Sequence, residues 1–239
     1  MIYVGTCGFS EGMNKYFKDF KTVEIQQTFY KIIDIKTVSK WKRKAPKDFI
    51  FNLKAFQGIT HPYNSKTWKR SNVDISKIKE KIGFLKPTKE VFYFWSKTLE
   101  VAKALDAKVI LIQLPPSFKD ERENWNNAER FFKNLDRKDF EIAVELREWN
   151  LKSVEKFCKE FDLIDVCDLL IREPVTNKIL YSRLHGNYEG FKINYYYKYS
   201  LEDLKKIVKK LKKIKPKKAF IYFNNVFMLN DAKSLISLL

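Results

Sequence analysis

Arg183 and His185 stand two residues apart in Ser182-Arg183-Leu184-His185-Gly186, a spacing that puts both side chains on one face of an extended strand. An arginine grips phosphate or carboxylate through two parallel hydrogen bonds, and a histidine beside it transfers a proton near neutral pH. Two carboxylates have comparable settings, Glu24 within Val23-Glu24-Ile25 and Glu145 within Val144-Glu145-Leu146. A carboxylate between apolar neighbours is costly to bury alone, so Lys54, Arg147 or Arg183 are its expected partners. Glu24, Glu145 and His185 read either as a catalytic acid/base set or as members of a structural ion-pair network, and the residue types serve both.

Other polar residues adjoin apolar runs. Lys54 follows Phe51-Asn52-Leu53, Gln113 precedes Leu114-Pro115-Pro116, and Asn224 and Asn225 follow Tyr222-Phe223. With His61, Arg147, Trp149 and Arg183 they make the expected substrate-binding set. The cations would orient anionic groups, the amides would bind a sugar, a base edge or backbone, and Trp149 or Trp68 would stack on a ring. Two histidines in the whole chain, His61 and His185, exclude a zinc site built mainly from imidazoles. No cofactor is expected, and the one metal arrangement left open is a divalent cation held by Glu24, Glu145 and Asp168. Cys7, Cys158 and Cys167 read as reduced thiols, the latter two in the core and Cys7 in a glycine-flanked loop. Gly5-Thr6-Cys7-Gly8 lacks the spacing and lysine of a phosphate-binding P-loop, and no dinucleotide fingerprint, zinc-finger spacing or serine nucleophile elbow occurs.

The elements that must position these residues follow from periodicity. Short runs rich in Val, Ile, Leu and Phe predict strands at Ile2 to Val4, Thr22 to Ile25, Phe49 to Lys54, Lys108 to Leu114, Phe140 to Leu146, Leu163 to Cys167, Ile179 to Leu184 and Ala219 to Phe223. Helices are expected at Ile35 to Arg43, Thr88 to Leu105, Trp125 to Leu135, Leu151 to Phe161 and Leu201 to Ile214, with a final one capped by Asp231. Eight strands separated mostly by helices predict an α/β fold, a single (β/α)8 TIM-like barrel with irregular mouth loops, residues 1–239 forming one domain. The weak points are the link after Ile25 and the short sixth connection near Arg172 to Lys178. Gln57 to Ser76 reads as a long surface loop over the mouth. The longest apolar runs are too short to cross a bilayer, and no secretory pattern opens the chain, so no membrane partner is expected and cytoplasm is the default location.

Lys plus Arg exceed Asp plus Glu by 47 to 29, giving +18. That charge attracts polyanions without distinguishing nucleic acid from a small phosphate. Much of it is accounted for locally: Leu204, Ile207, Val208, Leu211 and Ile214 recur at helical spacing with lysines between them, an amphipathic helix with a solvated basic face.

In chain order, the motifs Gly5-Thr6-Cys7-Gly8-Phe9, Thr22 to Tyr30 with Trp41, Phe51-Asn52-Leu53-Lys54-Ala55, Thr60-His61-Pro62, Gln113-Leu114-Pro115-Pro116-Ser117-Phe118, Ala143 to Trp149, Arg183-Leu184-His185-Gly186 and Tyr222-Phe223-Asn224-Asn225 are similar to those of the DUF72 family, also called YecE-like proteins. The similarity spans nearly the full chain. It implies a TIM-like barrel related in form to xylose isomerase and endonuclease IV, and it brings no settled activity. The endonuclease likeness points toward nucleic acid, yet this chain lacks the many histidines of a trinuclear zinc nuclease. Cys7 stands where the family more commonly has serine, and Gln26-Gln27 where an Asn-Ser pair is usual. The emphasis therefore falls on local shape and hydrogen bonding, not on a required hydroxyl.

The leading expectation is recognition of a phosphate-bearing substrate at the carboxyl-terminal barrel mouth, with cleavage or isomerisation left open. Lys54, Arg147 and Arg183 would orient the anion, Glu145 or Glu24 would act as base, and His185 as acid or its reciprocal partner. Two alternatives stay open: a noncatalytic nucleic-acid-binding protein, marked by salt-sensitive binding without turnover, and an enzyme acting on a small sugar-like or neutral ligand. Oligomeric state is not legible.

Overall fold

The computed structural model describes residues 1–189 and 192–239. Its strands are β1 (Ile2–Thr6), β2 (Thr22–Ile25), β3 (Ile50–Lys54), β4 (Val109–Gln113), β5 (Glu141–Glu145), β6 (Ile164–Cys167), β7 (Leu180–Leu184), the hairpin β8 (Asn187–Glu189) and β9 (Lys192–Asn194), and β10 (Ala219–Phe223). All strands but the hairpin pair form one eight-stranded parallel sheet in the order β1-β10-β7-β6-β5-β4-β3-β2. The two sheet edges meet at one point, where Cys7 pairs with Glu24 and the Gly8 N–H donates to the Glu24 carbonyl at 2.8 Å. A side chain at Gly5 would place its Cβ 2.4 Å from the Thr22 carbonyl oxygen, so only glycine lets β1 approach β2 here. The result is a nearly closed TIM-like barrel.

Helices cover the outside: α1 (Met13–Asp19), α2 (Gln27–Tyr30), α3 (Ile35–Lys44), α4 (Gln57–Thr60), α5 (Lys89–Leu105), α6 (Arg122–Lys133), α7 (Leu151–Glu160), α8 (Leu201–Ile214) and α9 (Met228–Ile236). In α8, Ser200 and Asp203 form a reciprocal capping box, while Leu204, Ile207, Val208 and Leu211 are buried beneath the lysine face. Strand alternation separates two apolar clusters. Ile110, Ile112, Ile142 and Val144 pack against the helices, whereas Val109, Leu111, Ala143, Val166, Tyr181 and Tyr222 belong to the cluster inside the barrel.

Two expectations are corrected. The segment from Gln57 to Ser76 is not an open loop: residues 57–61 are buried, through α4, and a 3-10 turn spans Lys66–Arg70. Asp231 does not cap the last helix; it lies within the first turn of α9 and accepts from the Asn225 amide at 2.7 Å. The short connection between β6 and β7 carries no helix and is held by an ion pair instead. Arg172 reaches both oxygens of the buried Asp165, at 2.6 and 2.8 Å, and the Val175 N–H donates to the same carboxylate. Charge-assisted bidentate bonds of this kind do the positioning that a covering helix does elsewhere. Among the described residues, no helix is long and apolar enough to cross a membrane.

Candidate functional site

Reading every second residue toward the carboxyl end of each barrel strand gives Gly5-Cys7, Thr22-Glu24, Asn52-Lys54, Leu111-Gln113, Ala143-Glu145, Val166-Asp168, Tyr181-Arg183 and Tyr222-Asn224. Every inward row thus ends in a thiol, amide or charged group. The lower layers are filled by side chains, as a small barrel requires, so these eight residues form the floor of the mouth.

Arg183 is its hub. This fully buried guanidinium donates through Nε to Glu24 Oε1 at 3.1 Å, and through Nη1 to Gln113 Oε1 at 2.9 Å and Glu145 Oε2 at 2.6 Å. Glu24 also accepts from the Tyr181 hydroxyl at 2.7 Å, from the Gln26 amide and from the Cys7 thiol at 3.2 Å. Glu145 is completed by the Nε–H of Arg147. Burial opposes the Glu145 charge, but Arg147 and Arg183 outweigh it and hold the carboxyl well below its usual range. Burial and the facing Glu24 push the Cys7 thiol well above its usual range, which keeps it protonated and poorly nucleophilic.

His185 sits above this floor. Its Nε2 lies 3.1 Å from Arg147 Nη2 and 3.5 Å from Glu145 Oε1, and its Nδ1 lies 2.9 Å from the Asn224 amide. Burial, against the pull of Glu145 and with Arg183 close by, pushes the imidazole down to about 3, so the ring is neutral. A neutral imidazole accepts at one nitrogen only. Arg147 and Asn224 therefore compete for that lone pair, and the Asn224 amide rotamer sets the tautomer.

Lys54 differs from every other charge here. Glu24 and Glu145 are matched by Arg183 and Arg147, and the third floor carboxyl, Asp168, is pushed up to about 7 by burial and borders a separate cavity, so no carboxylate is left to Lys54. Its Nζ lies 3.6 Å from the centroid of the Phe29 ring and, among the described residues, within ion-pair distance of no carboxylate. The Thr28 hydroxyl donates to the Lys54 carbonyl at 2.6 Å, docking α2 on the end of β3 and setting Phe29 against the amine. Burial, with Arg183 adding repulsion, pushes the amine down to about 7. His61, also neutral with its imidazole pushed down to about 3 by burial and by Lys54, packs edge-on against the same Phe29 at 4.9 Å.

Two cavities open on this floor, and Arg147 borders both. One, of about 340 Å³, is lined by Cys7, Gln26, Phe29, Tyr30, Lys54, His61, Thr67, Arg70, Gln113, Arg147, Tyr195 and Asn224. Arg70 stands at its rim, stacked on Tyr30 at 3.6 Å. The other, of about 590 Å³, meets Glu145, Asp168, Arg183 and His185 at one end and an apolar wall including Leu146, Trp149, Val166 and Ile193. Asp168 keeps one buried carboxylate oxygen without a partner, and burial pushes its carboxyl up to about 7.

Residues 2–239 match the family described as a protein of unknown function, DUF72. The chain belongs to the DUF72 family. Two solved DUF72 structures superpose along its whole length. One, from Enterococcus faecalis, has a TM-score of 0.75 at 17% identity and is covered over 95% of its own chain. The other, from Thermotoga maritima, has a TM-score of 0.72 at 24% identity and is covered over 98%. Endonuclease IV from Thermus thermophilus matches over 99% of this chain and 100% of its own, with a TM-score of 0.56 at 8% identity, a likeness of fold alone. No curated protein matches the sequence.

In this DUF72 barrel, Glu24, Lys54, His61, Gln113, Glu145, Arg147, Arg183, His185 and Asn224 converge at the mouth. Asn225 does not: it donates to the Tyr197 carbonyl at 2.8 Å and to Asp231, tying the last loop to α9. Trp149 is buried in a stack between Trp125 and Phe118, with its indole N–H donating to the Phe118 carbonyl. It offers an edge to the larger cavity rather than a free face. Among the described residues, no group of three or more His, Cys, Asp or Glu is placed to hold a metal ion, so Glu24, Glu145 and Asp168 are not gathered as a ligand set. Sequence reasoning missed Phe29, Tyr30 and Tyr195 as cavity walls. Tyr181 was signalled by its place two residues before Arg183.

Proposed function

We propose that this barrel binds a small phosphate-bearing molecule in its 340 Å³ mouth cavity and acts on it there. The observation that carries the reading is the charge of the lining: Arg70 and Arg147 contribute permanent cations, Lys54 adds an amine whose charge burial opposes, and no aspartate or glutamate is among the described lining residues. The nearby carboxylates are engaged by Arg183 and Arg147, so they do not repel an entering anion. Arg70 and Arg147 carry permanent charge in a fork suited to phosphate. The volume matches a small metabolite rather than a duplex.

Calorimetric titration with glycerol phosphate, glycerol and an abasic DNA duplex tests this. Glycerol phosphate is expected to bind, with Arg70→Ala weakening it about 10-fold, the worth of one charge-assisted bond, and glycerol is expected not to bind. Equal binding of glycerol would favour the neutral-ligand reading. Tight, salt-sensitive duplex binding that survives Arg70→Ala would move the function to nucleic acid.

A further inference from the structure

We propose that Lys54 is a covalent nucleophile, whose amine forms an imine with an aldehyde or ketone carbonyl on the anion that enters the cavity; this rests on the anion-binding reading for the identity of the substrate, not for the reactivity of the amine. A lysine kept only for charge would be held by carboxylates. Here the reverse arrangement is built: the two nearby carboxylates are engaged by arginines, and the lysine amine faces an aromatic ring on one side and the cavity on the other. The groups facing it are Cys7 from the end of β1, Glu24 from β2, His61 after α4, Glu145 and Arg147 from the β5 end, and Arg183 from β7. Glu24 and Glu145 cancel Arg147 and Arg183, His61 and Cys7 are neutral, and Arg70 at the cavity rim adds only positive charge, so burial favours the free amine, which is the nucleophilic form.

The step balances without any further reagent. The Nζ lone pair attacks the carbonyl carbon, and the carbon–oxygen π electrons move to oxygen. A proton passes from nitrogen to that oxygen to give the carbinolamine. The nitrogen lone pair then forms the C=N bond as the hydroxyl leaves with the remaining nitrogen proton as water, giving the neutral imine. Arg70 and Arg147 would hold the phosphate and place the carbonyl over the amine.

The test is reductive trapping on the intact protein. Dihydroxyacetone phosphate, or neutral dihydroxyacetone, is incubated with the protein and sodium cyanoborohydride, and the lysine peptides are mapped by mass spectrometry. Lys54 is expected to carry the reduced adduct at least 10-fold faster than the exposed lysines of α8, with half-maximal labelling near pH 7, and Lys54→Met is expected to lose it. Adducts confined to surface lysines, or a Lys54 no faster than they, would overturn the proposal whatever the variant does. Fast labelling of Lys54 by both probes alike would keep the nucleophile and sink the phosphate reading. Binding of the phosphate probe without labelling would do the opposite.

Discussion

Arg183 and Lys54 are both cations buried at the same barrel mouth, and their surroundings are opposite. Arg183 spends its donors on Glu24, Gln113 and Glu145. Lys54, one cavity wall away, has a ring and empty volume. A buried guanidinium that satisfies two carboxylates holds strands β2, β5 and β7 in register. A buried amine without a counter-ion stabilises nothing, and its desolvation works against the fold. The contrast separates the part of the mouth that keeps the barrel together from the part to which we propose the chemistry belongs, since uncompensated buried groups are enriched at functional sites.

The sharpest way to break this comparison is to remove the hub. Arg183→Met leaves Glu24 and Glu145 buried and short of a partner, and it is expected to cost about 3–5 kcal/mol of stability, the usual penalty for one half of a buried ion pair. Urea denaturation measures it. Adding Glu24→Gln and Glu145→Gln should return most of the loss, because neutral amides need no cation. A loss below about 1 kcal/mol would show that the network is not structural.

Lys54 is expected to respond with the opposite sign. Its amine is at about 7 in the folded chain and near 10.4 when unfolded. Between these values the unfolded chain binds more protons, so stability rises with pH across that window. Below pH 7 both states are protonated and the full penalty of the buried charge applies. Lys54→Met removes the penalty and should stabilise the protein at pH 6 by on the order of 3 kcal/mol, less than the full pKa difference implies because the amine borders a cavity that water enters. Its advantage should shrink toward pH 10. Comparing urea midpoints of the two proteins at pH 6, 8 and 10 isolates this group from the tyrosines; a constant difference would mean that Lys54 is charged and paired throughout.

The barrel was legible because its signal is repeated. Each of the eight predicted strands overlaps an observed one, since buried parallel strands read as short apolar runs whatever their neighbours do. What failed were features without a period. The helix α1 begins after Gly12 with no capping side chain. The β8–β9 excursion that brings Tyr195 to the cavity has no hydrophobic alternation to announce it. The covering of Asp165 by Arg172 replaces a helix through two residues that look like ordinary loop charges. Within the site, Glu24, Glu145, Arg183 and His185 were legible by their places among apolar strand residues. Trp149 was misread because an aromatic at a strand end serves packing as readily as stacking on a ligand.

Asn224 and Asn225 show how far parity alone would have gone, and they carry the smallest expected effect. Both follow β10, and the dipeptide composition does not tell them apart. Tyr222 points into the barrel, so Asn224, two residues on, shares its face and reaches His185, while Asn225 turns to Asp231. Asn225→Ala deprives the buried Asp231 of its amide donor and is expected to lower stability by about 1 kcal/mol with phosphate affinity unchanged. Asn224→Ala should leave stability within about 0.5 kcal/mol, since it removes one donor from a ring that Arg147 also serves. Its effect belongs to the imidazole: with the competitor gone, the proton settles on Nδ1 and Nε2 turns its lone pair to Arg147, a change that nitrogen chemical shifts of His185 report directly. Unaltered shifts in Asn224→Ala, or shifts that move instead in Asn225→Ala, would show that the inward parity of β10 ends at Phe223 and that the Asn224 amide does not set the tautomer.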